Sequence, residues 1–288
     1  MTAPLDDLHC HLDFVRDPAA IVRNARAAGS SLFANTVTPA GYERAQALLA
    51  DLVSSEQSAE APVLRLGCGF HPWYASPDAL DDALDQIDAC AFVGEVGMDF
   101  GTRGACAPAE QVRLFSALMR RVARLEGRVV SIHSVGAVRE TLDVLEETGA
   151  LARATCVFHW FSGPSDQLKR AIDAGCWFSV GPLMAASRRG RAYIQAIPLD
   201  RMLLETDAPP TPAGTVPACP DRQTAPAPDV NYTFADLSRG LARACAVVRE
   251  VKGAQIAAHP NRYPRRLRDA DPADILHENA VAVLCGRV

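Results

Sequence analysis

The chain has 288 residues, of which 49% are hydrophobic and 22% charged, and its net charge is −5. That is material for a large buried core, in one large domain or two ordinary ones, and the acidic balance excludes a global pull towards nucleic acid. Nine cysteines without a C-x-x-C pair, no signal-like start and no long apolar run exclude a disulfide scaffold and a membrane protein, so a cytoplasmic enzyme is expected.

Strand-like runs fall at residues 5–11, 31–37, 64–70, 91–96, 129–133, 155–159, 176–180 and 202–206. Amphipathic stretches lie between them, at 18–28, 42–54, 77–90, 108–126, 137–148 and 165–174. Proline opens several of these stretches, and Gly29, Gly127, Gly149 and Gly175 close others. Strands alternating with helices imply parallel pairing. Eight such units predict an α/β fold of the (β/α)8 TIM-barrel kind, one domain over residues 1–288; an open doubly wound sheet is the alternative. Residues 209–228 hold seven prolines in twenty positions, which excludes regular helix and predicts a long loop after the eighth strand. Two further helices are expected at 233–252 and 274–284.

In a parallel barrel, function gathers at the carboxyl ends of the strands. Those ends carry His9, His11, Thr36, His71, Glu95, His133, His159 and Asp207, which places five of the seven histidines there. His9 and His11 are two apart, so a strand presents both on one side. Four imidazoles and two carboxylates exceed one tetrahedral zinc site and suit two divalent ions. Glu95 is then the natural bridge, since no lysine lies near a strand end to supply a carboxylated alternative. Ions about 4 Å apart lower the pKa of a shared water, with Asp207 as ligand and general base. The expected reaction is metal-assisted hydrolysis, at phosphorus or at carbon. Cys10 points away from its flanking histidines and reads as packing.

The segments DLHCHLD (7–13), GFHPW (69–73), VGEVGMD (93–99), SIHSVGA (131–137), FHWFSG (158–163), FSVGP (178–182), LLETDAPPTP (203–212) and HENA (277–280) together resemble the TatD family of metal-dependent nucleases. Within it, IHS, HWFSG and GCWFSVGP resemble the TatD-like nuclease of Qat anti-phage defence systems. The resemblance implies that His9 and His11 bind a first metal, that Glu95 bridges, and that His133 and His159 bind a second. It implies that Asp207 is ligand and base and that His71 faces substrate phosphate. It also implies a DNase acting on single strands or ends with Mg2+ or Mn2+, Zn2+ being another ion for so histidine-rich a set, and defence-system protein partners.

The chain departs from the family where Val135 and Gly136 replace an Arg-containing pair and where proline-rich sequence follows ETDAP. Local cations can compensate. Arg188 and Arg189, with Arg191, lie after the seventh strand and are candidates for substrate binding; Arg262, Arg265, Arg266 and Arg268 read as a solvated surface or a phosphate contact. Trp160 and Phe161 stack on a base or pack in the core. Two other readings stay open: hydrolysis of an amide or ester by the same metals, and a catalytically weak partner-binding component.

Overall fold

A computed structural model describes residues 3–54, 60–209 and 230–288. Its eight strands run parallel and hydrogen-bond to their neighbours in the order of the sequence. They are β1 (Asp7–Cys10), β2 (Leu32–Asn35), β3 (Leu64–Phe70), β4 (Phe92–Asp99), β5 (Arg128–Val135), β6 (Ala154–His159), β7 (Trp177–Val180) and β8 (Met202–Leu204). The expected (β/α)8 barrel is thus the fold. Its seam is closed by the segment after β8: Asp207 N–H donates to His9 O at 2.8 Å, and His11 N–H to Ala208 O at 2.9 Å. Asp7 clamps the same seam, its buried carboxylate accepting from the Thr206 N–H at 3.0 Å and the Thr206 hydroxyl at 2.6 Å.

Eleven helices occupy the intervals and the carboxyl-terminal part of the described residues. They are α1 (Pro18–Ala27), α2 (Pro39–Leu49), α3 (Leu80–Ala89), α4 (Pro108–Val122), α5 (Val138–Thr148), α6 (Ser165–Asp173), α7 (Pro182–Ala186), α8 (Arg188–Ala196), α9 (Phe234–Ala258), α10 (Arg265–Asp269) and α11 (Pro272–Leu284). Several boundaries follow the expected punctuation: Pro at the first turn of α1, α2, α4 and α11, and left-handed Gly149 after α5. Helix α2 starts three residues earlier than its apolar pattern, because the Thr38 side chain accepts the Gly41 N–H and caps it there. Helix α8 begins in the same way at Ser187, so the Arg188–Arg191 cluster opens a helix. Most of the proline-rich stretch falls at 210–229, outside the described residues. No described helix is long and apolar enough to cross a membrane.

Period-two alternation sorts most strands into two faces, with register shifts in β1 and β4. One face packs on the helices, as Val130, Ile132, Phe158 and Phe178 do in the large core. The other fills the barrel. Its base is a layer of Leu8, Phe33, Phe92, Val129, Val157, Trp177 and Leu203, plugged by Ala280, Val283 and Leu284 of α11. The HENA segment explains that plug: Asn279 Nδ2 donates to Leu199 O at 2.9 Å and Met202 O at 2.8 Å, fixing α11 under β8. Two residues further along several strands the lining turns polar, with Asn35, Ser131, Ser179 and Glu205. Two residues beyond Ser131 and Glu205 stand His133 and Asp207, at the mouth.

Candidate metal centre

His9 and His11 stand at and just past the end of β1, and both rings are buried. The ring of His11 is oriented by Nδ1, 3.1 Å from Asn35 O. A carbonyl only accepts, so the proton sits on Nδ1 and the Nε2 lone pair points inward. It meets Glu95 Oε2 at 3.3 Å and Asp207 Oδ1 at 3.4 Å. His9 Nδ1 is held by Ser131 Oγ at 2.7 Å, and its buried Nε2 has no hydrogen-bond partner. That atom lies 3.3 Å from Glu95 Oε2 and 3.7 Å from Asp207 Oδ1. Donors around one tetrahedral ion with bonds of about 2.1 Å are spaced about 3.4 Å apart, and these four imidazole–carboxylate spacings, 3.3–3.7 Å, lie near that value.

Glu95, in β4, turns its other oxygen to a second group. Oε1 is 2.8 Å from His133 Nδ1, 2.8 Å from His159 Nε2 and 3.1 Å from His71 Nε2. His133 Nδ1 and His159 Nε2 are themselves 3.2 Å apart. His71 differs in its tautomer. Its Nδ1 accepts the Trp73 N–H at 3.1 Å, so a neutral His71 carries its proton on Nε2 and presents a donor to the centre. Three overlapping sets bring donor atoms close enough to hold a metal ion: His9, His159 and Asp207; His9, His11 and Glu95; His71, Glu95 and His133.

The electrostatics call for a cation. Burial pushes His9 and His71 down to about 4, which keeps both rings neutral. Burial also opposes charge on His11, but the facing carboxylates of Asp207 and Glu95 outweigh it and raise that ring. The same contest raises His133 to about 9, where Asp99 and Glu95 overcome burial. Burial would raise Glu95 and Asp207, yet the surrounding imidazoles hold both carboxylates below their ordinary range. A buried and a partly exposed carboxylate thus draw protons onto rings whose lone pairs converge on them. A divalent ion supplies that charge directly and takes the imidazoles in the neutral form that ligation needs.

The carboxylates open onto a cavity of about 260 Å³. His71, Trp73, Val135, His159, Trp160 and Asp207 are among its walls. The Asp207 backbone is left-handed, with φ 51°, and its side chain is 23% exposed, more than any imidazole of the cluster. Arg188 and Arg189 are not in the lining; Arg189 donates to Gly163 O at 2.8 Å and lies over the Tyr193 ring. In the second cluster Arg265 and Arg268 pair with Asp269, and Arg266 with Glu278. Three contributors are not apparent from strand-end reading. Asp99, at the end of β4, accepts Trp73 Nε1–H at 2.6 Å and lies 3.4 Å from His133 Nε2. Glu205 is buried, pushed up to about 8 by that burial, and accepts the Trp160 N–H at 3.0 Å. Ser131 positions His9. All three lie in segments that resemble the family, and the period of two aligns Ser131 with His133 and Glu205 with Asp207.

A parallel eight-stranded barrel with a His/Glu/Asp cluster at the carboxyl ends of its strands defines a metal-dependent hydrolase. The comparisons specify which kind. The family model "TatD related DNase" matches residues 6–265. The 3'-5' ssDNA/RNA exonuclease TatD of Citrobacter koseri is 31% identical over 211 residues, 68% of this chain and 74% of that protein. Human deoxyribonuclease TATDN3 is 29% identical over 224 residues, 71% of this chain and 78% of that protein. In structure, the TatD homologue YJJV of Escherichia coli K12 superposes with a TM-score of 0.68 at 23% identity, covering all of both chains. The chain belongs to the TatD-related DNase family, as a hydrolase acting on ester bonds.

Proposed function

We propose that this protein is a two-metal nuclease that hydrolyses phosphodiester bonds in single-stranded DNA or at DNA ends. The observation that carries the reading is the split of Glu95: one oxygen faces His9 and His11, which Asp207 also approaches, and the other faces His133, His159 and His71. The first group would hold one ion, and Glu95, His133 and His159 the second. Mg2+ or Mn2+ suits catalysis by the carboxylates, and the imidazole-rich set also accepts Zn2+. Bound there, such ions neutralise charge on a phosphodiester and lower the pKa of an attacking water.

The protein's own groups complete the chemistry. Asp207, a partly exposed carboxylate held below its ordinary pKa, accepts the proton of the attacking water. The neutral His71, with its proton on Nε2, donates to a non-bridging phosphoryl oxygen. The family name and the relatives named as deoxyribonuclease and ssDNA/RNA exonuclease support phosphorus over carbon as the electrophile.

A substrate panel tests this reading. Purified protein with Mg2+ or Mn2+ is expected to degrade labelled single-stranded DNA. It is expected to leave carboxylic amides and aminoacyl esters intact. Turnover of an acyl substrate with none of DNA would overturn the assignment.

A further inference from the structure

Two adjacent aromatics follow the ligand His159, and the fold treats them oppositely. Phe161 is 2% exposed and packs edge-on against Phe158, Phe178 and Tyr193. Trp160 is 38% exposed and lines the cavity that contains Glu95 and Asp207. Its backbone has φ 36°, a conformation that costs about 1–3 kcal/mol for a bulky residue. It is held there by Glu205, whose Oε1 accepts the Trp160 N–H at 3.0 Å while Oε2 takes the Ser179 hydroxyl. Even so, more than a third of the residue stays exposed. Beside it Val135, 39% exposed, continues an apolar rim. The cavity's other indole is already engaged: Trp73 Nε1–H is bonded to Asp99, and the Arg103 guanidinium lies 4.8 Å from its ring centroid.

We propose that Trp160 is a specificity-determining residue, the platform on which the nucleobase next to the scissile phosphodiester stacks. The inference rests on the nuclease reading above and deepens it. Every base offers a π-face, so an indole at this rim accepts any sequence but requires a base that is present and unstacked from its neighbours. Phosphate held at the carboxylate–imidazole cluster and base held on Trp160 would fix one nucleotide at two points. Duplex interiors, whose bases are stacked and paired, would be disfavoured for the same reason.

The test compares two single-stranded oligonucleotides, one natural and one with tetrahydrofuran abasic residues at both terminal nucleotides. It uses wild-type enzyme, Trp160→Ala and Trp160→Phe. Stacking of one base is worth about 1–3 kcal/mol, so wild type should prefer the natural strand by about 5- to 140-fold in kcat/KM. Trp160→Ala should lose that preference and Trp160→Phe should keep most of it. The ratio is insensitive to a general weakening of the site, which would lower both rates alike. A wild type without preference, or Trp160→Ala with the wild-type ratio, overturns the platform alone. A wild type that cleaves neither strand with any divalent metal overturns the nuclease reading and the platform with it.

Discussion

Three of the imidazoles around the centre are aimed by a group that would not itself touch the ion. Asn35 O fixes the His11 tautomer, Ser131 Oγ restrains His9, and Asp99 faces the far nitrogen of His133. Such partners typically contribute 10- to 100-fold to metal affinity. Ser131→Ala should therefore weaken binding of the first ion by about 10- to 100-fold while the barrel stays folded, as measured by competition with a chromogenic chelator. Affinity equal to wild type would mean that the His9 ring is held by packing alone. These partners also mark where sequence reading stops. The candidate ligands stand out because His, Glu and Asp gather at strand ends. Asp99 and Glu205 looked like ordinary strand residues, since their roles depend on Trp73 and Trp160, which reach them only across the folded mouth.

The segments shared with the family are as much about backbone approach as about chemistry. In VGEVGMD, Gly97 has φ 147°, and a Cβ there would stand 1.9 Å from His133 O. Gly97→Ala should cost about 2–5 kcal/mol in urea unfolding and displace the ligand strand β5. Gly127→Ala, with φ 74° but no atom within 4 Å of the new Cβ, should cost only about 1–2 kcal/mol. Similar losses for both would assign the Gly97 effect to φ alone. A second element contact is sensitive to pH. Lys252 of α9 is buried and donates to the carbonyls of Gln195 and Ile197 at the end of α8. Burial lowers its pKa from 10.5 to about 8, with Asp200 opposing. Between those values the unfolded chain binds a proton that the fold does not, so this residue's contribution to stability rises with pH. The stability of wild type minus Lys252→Met should increase by about 3 kcal/mol from pH 7.5 to 10.5, and a flat difference would refute the assignment. Strand order was legible from alternation, whereas helix α8 was hidden because its amino terminus is set by one capping serine in an arginine-rich run.

The barrel and the centre are one construction. The proposed ligands from β1, β4, β5, β6 and the segment after β8 meet only when the seam closes, and closure depends on Asp7 and Thr206, 199 residues apart. No local reading of the sequence finds such a pair, although the candidate ligands are visible in it. The segments behind the closer likeness to an anti-phage nuclease lie in β5, at the end of β6 and the turn after it, and in β7. A bound ion joins strands from opposite parts of the ring and should raise Tm by mass action, by about 3 kcal/mol of stabilisation at a hundred times Kd. The central claim is that this His/Glu/Asp cluster hydrolyses DNA with bound metal. It is tested most directly by cleavage of end-labelled single-stranded DNA, using EDTA-treated wild type and Asp207→Asn with and without restored Mn2+. Wild type should be silent after EDTA and recover with metal, and Asp207→Asn should stay at least about 100-fold slower throughout. Cleavage by the metal-free protein, or wild-type rates from Asp207→Asn, would contradict it.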